Sequence, residues 1–307
     1  MSDAPAWSVM IPVYKRTDHL KQCLESVLAA GVPAERMQIA VVDDSTASPN
    51  VEAEVRAIAG SRVEFHHNPQ NLGMAGNWNR CIALARGALV HILHDDDYVS
   101  PGFYAGIDAL AAKFPQASIY FSRVLQVDGG GSITWVSPRI EAYESYSRDP
   151  EALLYRCEVR FPGVVVRRKA YERTGGFDAS MRMTLDWDMW VRLIADGGAA
   201  SCDAALAYYR RHEDAATSRY FRDGTYFREM LRIRDTFATR HSQFRRKQYD
   251  ALLETEFRNY LGVCRDNRDR EARDANLPLW RELVPWHRRL RYLVRSCAER
   301  FVRALHV

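Results

Sequence analysis

Ala88-Leu-Val-His-Ile-Leu-His-Asp-Asp-Asp97 is an apolar run that ends in three adjacent carboxylates. A short apolar run closed by a polar turn reads as a buried strand rather than a helix. The carboxylates at its end repel one another, and a bound cation is the usual means by which such a cluster becomes tolerable. A divalent ion held by carboxylates is in turn a natural partner for phosphate. One reading is therefore metal-assisted chemistry on a phosphorylated substrate. The other is a solvated acidic turn ahead of the helix that follows Pro101.

Outward from this stretch, the pattern alternates between strands and helices. Trp7-Ser-Val-Met-Ile-Pro-Val13 reads as a first buried strand. Thr17 can cap a helix over 18–30, with Leu20, Leu24, Val27 and Leu28 on one face and Gly31 as its stop. Gln38 to Val42 is a second strand, closed by Asp43-Asp44-Ser45, and 51–59 is a short helix. Val63 to His66 is a third strand, Asn71-Leu-Gly73 a turn, and 74–86 a helix with Gly87 after it. Such alternation predicts an α/β fold with a mainly parallel central sheet flanked by helices. Ligands of such sheets bind beyond the carboxyl ends of the strands, where Asp43, Asp44 and Asp95 to Asp97 would gather in one crevice.

Past Pro101 a helix runs to Phe114, followed by a strand over 117–127, a Gly129-Gly-Gly131 turn and a strand over 163–166. Leu185 to Ala195 is a helix and Ala204 to Arg210 a last strand. From Ser218 onward the pattern is helical and rich in Arg. The expected division is a catalytic domain over 1–218 and a helical, Arg-rich extension over 219–307.

Composition narrows the class. With 307 residues, 47% apolar and 27% charged, the chain suits a soluble globular protein of one large domain, alone or with an extension. No apolar run reaches the ~20 residues that span a bilayer. Met1 to Trp7 lacks the basic and apolar regions of a secretory signal, so a cytoplasmic location is expected. The six cysteines are scattered without a Cys-x-x-Cys, which disfavours a zinc site or a disulfide framework. Residues 281–307 carry seven Arg against two Glu, a larger surplus than the +4 of the whole chain. Basic surface and acidic clusters thus occupy different parts of the molecule.

Several residues have a chemical reading beside a plainer one. Asp43 and Asp44 can accept hydrogen bonds from the ribose and base of a nucleotide, or form a polar turn. Neither a Gly-x-Gly-x-x-Gly after the first strand nor a P-loop occurs, which disfavours a dinucleotide fold and a P-loop NTPase. Asp186 and Asp188, two apart at a helix start, do not share a face. Trp187 and Trp190, three apart, can share one and pack against a sugar, or lie in the core. His212 is a ligand or a structural residue, and 213–218 reads as a flexible segment able to close over a diphosphate.

Together these residues resemble the family 2 glycosyltransferases over roughly 7–218. The resemblance is carried, in order, by Val9-Met-Ile-Pro-Val-Tyr-Lys-Arg16, Val41-Val-Asp-Asp-Ser45, Asn68-Pro-Gln-Asn-Leu-Gly73, Asn79, His94-Asp-Asp-Asp-Tyr98 with Pro101, Gly175-Gly-Phe-Asp178, Asp186-Trp-Asp188 and Tyr209-Arg-Arg-His212. The resemblance implies the GT-A fold and an inverting transfer from a nucleoside-diphosphate sugar to an acceptor hydroxyl. It puts Pro12, Val13, Tyr14 and Arg16 around the nucleotide, with Asp43 and Asp44 on its base or ribose. Asn71, Gly73 and Asn79 would shape the floor, and Asp95 would lie against the nucleotide sugar. Asp96, Asp97 and His212 would hold Mn²⁺ or Mg²⁺ against the diphosphate. Counted back from Pro101, the main metal-binding Asp is Asp96, which sets His94 where an Asp-x-Asp begins; a literal reading picks Asp95 and Asp97 instead. Asp186 matches the general base of a Glu-Asp pair whose Glu is here Leu185. Asp188 rivals Asp186 for that role, and with Trp187 and Trp190 it would form an acceptor surface.

Leu290, Leu293, Val294, Cys297, Phe301 and Leu305 recur at helical spacing among arginines. A basic amphipathic helix over 281–307 can rest on anionic lipid at the inner face of a membrane, or pack on protein, including a second copy of the chain. The resemblance implies a glycan or lipid-linked glycan acceptor, in bacterial polysaccharide, lipopolysaccharide or other glycan assembly. Nothing beside the tail suggests nucleic acid. Two other classes stand against this reading. A sugar-phosphate nucleotidyltransferase would show a Gly-rich loop after the first strand, where this chain has Tyr14-Lys-Arg-Thr17. A non-catalytic basic-helix membrane module would have no need of the acidic crevice.

Overall fold

The computed structural model describes residues 5–46, 50–211 and 216–289, with the side chains of 216–218 outside the description. The chain divides into two compact units, Met1–Glu213 and Asp214–Val307.

The first unit carries nine strands: β1 (Trp7–Val13), β2 (Met37–Asp43), β3 (Glu64–His67), β4 (Leu89–Ile92), β5 (Tyr98–Val99), β6 (Ile119–Val127), β7 (Ile133–Val136), β8 (Val164–Arg167) and β9 (Ala199–Arg210). Its helices are α1 (Leu20–Ala29), α2 (Val51–Ala59), α3 (Gly73–Leu84), α4 (Phe103–Lys113), α5 (Glu151–Leu154), α6 (Arg168–Thr174) and α7 (Leu185–Gly197). The strands form one sheet in the order β3-β2-β1-β4-β8-β6-β9-β5, with β7 on β6. β3, β2, β1 and β4 are parallel, β8 pairs antiparallel with β4 and β6, and β9 runs parallel to β6. The longest ladders, β1–β2 and β6–β9, are both parallel, as the alternating pattern predicts.

The reason for this arrangement lies in burial. Every residue of β1 and β2 is buried. A parallel strand covered on both faces has no solvent side, so it reads as a continuous apolar run. The helices supply the cover at helical spacing, α1 through Leu20, Cys23, Leu24 and Val27, and α2 through Val51 and Val55. Asn50 caps α2 by accepting the Ala53 N–H at 3.1 Å. Trp7 sits in this core with its ring edge-on to Tyr104 at 5.0 Å and its Nε1 donating to Asp108 at 3.1 Å. β5 pairs antiparallel with β9, Tyr98 opposite Tyr208, and this sets the acidic turn before Tyr98 beside the end of β9.

The boundaries depart from the sequence pattern in a few places. β9 begins at Ala199, because Ala199 to Ala205 has little intrinsic strand preference yet pairs with β6 through two register shifts. β5, at two residues, is too short to show a period, and β7 is a largely exposed partner of β6.

The second unit is helical over its described residues: α8 (Ala216–Arg222), α9 (Thr225–Arg240), α10 (Arg246–Asp266) and α11 (Arg270–Leu283). Phe227 and Phe257 stack at 3.5 Å, and Tyr249 donates to the Met230 carbonyl at 3.1 Å. No helix among the described residues is long and apolar enough to cross a membrane. The amphipathic stretch expected over 281–307 lies outside the described residues from 290 onward.

Candidate active site

The ends of β1 and β2 form the first wall. Pro12 and Val13 are buried and pair with Val42 and Asp43. Asp43 accepts the Ser45 N–H at 3.0 Å and faces His67 Nδ1 at 3.1 Å. Asp44 accepts from Asn68 Nδ2 at 2.9 Å and the Leu72 N–H at 2.8 Å on one oxygen, and from the Gly73 N–H at 3.0 Å on the other. Asn71 Nδ2 donates to the Asp44 carbonyl at 3.0 Å, and Asn77 joins Asn68 to the Val42 carbonyl. Gly73 has φ +72, a conformation open to glycine and strained for other residues. The buried oxygens of Asp44, expected on a base or ribose, anchor the start of α3. Asn71 and Gly73 serve the same anchor.

Asn79, expected on the floor, clamps the Gly176-Phe177 backbone. Its amide accepts the Phe177 N–H at 2.8 Å and donates to the Phe177 carbonyl at 2.9 Å. A Cβ at Gly176 would stand 2.5 Å from Asn79 Oδ1, so Gly176 is what lets this clamp close. By contrast, Tyr14 and Arg16 are exposed at the mouth of β1, on either side of Lys15, whose φ is +64 and whose N–H donates to Ser45 Oγ at 2.8 Å.

The acidic turn forms the second wall. The Asp97 N–H donates back to the His94 carbonyl at 3.1 Å. Asp97 is buried; one oxygen accepts the Arg210 N–H at 2.9 Å, and Oδ2 has no hydrogen-bond partner. Asp96 is ion-paired with Arg16 at 3.6 Å. His94 packs in one aromatic cluster with Trp78 at 5.1 Å and Phe161 at 4.3 Å, with Nδ1 3.8 Å from Asp97 Oδ2. One ligand atom from each of His94, Asp96 and Asp97 lies within 4.8 Å of the others, and Asp95 is outside this group. Burial and the charge of Asp96 push Asp95 up to about 7, and the same two causes raise Asp97 well above the usual carboxylate range. Crowded carboxylates with an unpartnered buried oxygen are the donor set a divalent cation relieves, so these residues fit one. His212, expected beside them, lies outside the described residues.

Arg210 was not singled out from the sequence. It is buried at the end of β9, and its guanidinium donates to the carbonyls of Asp96 at 3.1 Å and Asp128 at 3.2 Å and to Gln22 at 2.6 Å. Tyr209-Arg-Arg-His212 drew attention, but sequence alone does not say which arginine turns inward. Trp78, Phe161 and Asn77 carry no sequence signal of their own, because their partners come from other elements.

The third wall is the start of α7. Asp186 is half-buried, with Oδ1 accepting the Trp187 N–H at 2.8 Å. Asp188 is buried and paired with Arg192 at 2.7 Å, and Arg192 donates onward to the carbonyls of Thr174 at 2.8 Å and Gly176 at 2.9 Å. Trp187 is buried with its indole N–H on the Leu153 carbonyl, and Trp190 is fully buried beside Phe161 and Phe177. The acceptor surface expected from Trp187, Asp188 and Trp190 is therefore corrected: the face they share is the core face. Tyr209 lies on β9, one residue before Arg210. Burial pushes its phenol up to about 12, with further contributions in the same direction from the charges of Asp97, Asp96 and Asp186.

Residues 8–175 match the protein family described as glycosyl transferase family 2. The chain is 27% identical over 230 residues to an uncharacterised protein of Mycobacterium tuberculosis, covering 69% of this chain and 68% of that one. It is 26% identical over 232 residues to the succinoglycan biosynthesis protein ExoO of Rhizobium meliloti, covering 71% of this chain and 64% of that protein. Among solved structures, TarS 1-349 of S. aureus in complex with UDP-GlcNAc superposes with a TM-score of 0.64 at 16% identity, over 90% of this chain and 79% of that one. The mannosyltransferase PcManGT from Pyrobaculum calidifontis, in complex with GDP-Man and Mn²⁺, superposes with a TM-score of 0.58 at 16% identity, over 96% and 87%.

Proposed function

The chain belongs to glycosyl transferase family 2, and from that membership we propose that it moves a sugar from a nucleoside-diphosphate sugar to an acceptor hydroxyl with inversion at the anomeric carbon. Its fold is of the GT-A type. In this reading Tyr14 and Arg16 border the nucleotide, on walls formed by Pro12, Val13 and Asp43. Asp96 and Asp97 hold a divalent cation, Mn²⁺ or Mg²⁺, which when bound supplies positive charge against the diphosphate as it leaves. Asp186 takes the proton of the acceptor hydroxyl. The acceptor oxygen forms its bond to the anomeric carbon as the bond from that carbon to the diphosphate oxygen breaks, and the electron pair leaves with the nucleoside diphosphate.

What supports the reading is the family match over residues 8–175 together with the cluster of His94, Asp96 and Asp97 after β4, whose ligand atoms lie within 4.8 Å of one another. The acceptor we infer is a glycan or a lipid-linked glycan, a class in keeping with the likeness to a succinoglycan biosynthesis protein. The test is a screen of nucleoside-diphosphate sugars with Mn²⁺ or Mg²⁺ that follows the products. Release of a nucleoside diphosphate supports transfer. Release of pyrophosphate on supplying a sugar phosphate and a nucleoside triphosphate would replace the proposal with nucleotidyl transfer.

A further inference from the structure

We propose that His94 is itself a ligand of the divalent cation, so that this site holds its ion with an imidazole beside the carboxylates of Asp96 and Asp97. The inference rests on the transferase reading and deepens it. Three observations carry it. The ligand atoms of His94, Asp96 and Asp97 lie within 4.8 Å of one another. Asp97 is 1% exposed, and its Oδ2 is buried without a hydrogen-bond partner, 3.8 Å from His94 Nδ1. The His94 ring packs against both Trp78 and Phe161, which also touch each other at 4.4 Å, so the three rings form one cluster.

A separation of 3.8 Å is too long for a hydrogen bond. It suits two atoms that share one ion: with bonds of ~2.1 Å, ligands at right angles stand ~3 Å apart and opposed ligands ~4.2 Å. The Trp78 and Phe161 rings pack against the imidazole and hold it in place before an ion arrives. The other Asp97 oxygen is already committed to the Arg210 N–H, so Oδ2 is the atom left to face the ion. Replacing a carboxylate by an imidazole shifts the preference of a site from Mg²⁺ toward transition ions, because imidazole is the softer donor. His94 would thus set which ion the enzyme uses.

The test is pulsed electron paramagnetic resonance of Mn²⁺ bound to the full chain, alone and with UDP or GDP. A directly bound ¹⁴N is expected in the wild type, unchanged in His212→Ala and absent in His94→Phe, which keeps an aromatic ring in the stack. His94→Phe should also weaken Mn²⁺ by about tenfold or more, at least the loss typical of outer-shell changes. His94→Asp should bind Mn²⁺ without the nitrogen signal and gain in Mg²⁺ relative to Mn²⁺. Bound Mn²⁺ without a nitrogen ligand in the wild type, or with one that survives His94→Phe, overturns the role of His94 and leaves the transferase reading standing. Should His94→Phe not fold, the wild-type and His212→Ala spectra decide. Failure to bind Mn²⁺ with either diphosphate would remove both.

Discussion

Asp97 and Arg210 are joined across 113 residues by a 2.9 Å hydrogen bond from the Arg210 backbone N–H to Asp97 Oδ1. The bond divides the work of one carboxylate. One oxygen fixes the acidic turn to the end of β9, and the other, buried without a hydrogen-bond partner, is available to the proposed ion. The Arg210 side chain adds a second tie by donating to the Asp96 carbonyl at 3.1 Å. Because the tie to Asp97 is a main-chain bond, it survives side-chain substitution at 210. Arg210→Ala should therefore destabilise the first unit, by about 1–3 kcal/mol for buried acceptors left unmade. Mn²⁺ binding to the folded protein should persist. Urea unfolding alongside Mn²⁺ titration checks both, and loss of Mn²⁺ binding in a protein of unchanged stability would contradict it.

Asp186→Asn is expected to retain donor binding and lose about 10²–10⁴-fold in turnover, the range for a missing general base. Nucleoside diphosphate release gives the rate, and calorimetry with the donor gives the affinity. Turnover near that of the wild type would take Asp186 out of the mechanism.

Asp188 offers the contrast. Its side chain is 4% exposed and its partner is Arg192, which holds the carbonyls of Thr174 and Gly176. Arg192→Met breaks this buried pair and should cost about 3–5 kcal/mol of stability. Asp188→Asn should lower the thermal midpoint while leaving turnover of the folded fraction within a few-fold. A loss as large as that of Asp186→Asn at unchanged stability would give Asp188 the base role instead.

His91 predicts a pH dependence. Its ring is fully buried, with Nε2 3.0 Å from the Pro162 carbonyl and Nδ1 3.3 Å from Tyr104 Oη, and burial holds its pKa down at about 3. The unfolded chain, with an ordinary value near 6.5, binds a proton across that interval that the folded chain refuses. Stability is thus fully present above about 6.5 and falls with pH by about 1.4 kcal/mol per unit toward the folded value. His91→Gln, which cannot titrate, should show a flatter fall between pH 6.5 and 5 in urea midpoints. Parallel slopes would exclude His91 as the cause.

The sequence made the strands and helices of the first unit legible because buried parallel strands and amphipathic helices announce themselves by period. It also located the strand ends where Asp43, Asp44 and Asp95 to Asp97 stand. It could not say what each polar side chain touches. Asp44 and Asn79 stand out in the sequence, but their partners within the protein do not, Leu72 and Gly73 for one and Phe177 for the other. Trp187 and Trp190 share a face in either reading, and only packing decides that this face is internal. The role of Arg210 depends on strand orientation at the end of a long ladder, which no local pattern encodes.

The closed network around Asp44 has a practical result for anyone altering donor choice. Randomising 44, 68, 71, 73 or 77 would mostly yield misfolded libraries, since the side chains at 44, 68, 71 and 77 and the positive φ of Gly73 brace the loop into α3. Diversity is better spent on Tyr14 and Arg16, which stand exposed beside that braced loop and can change without unseating it.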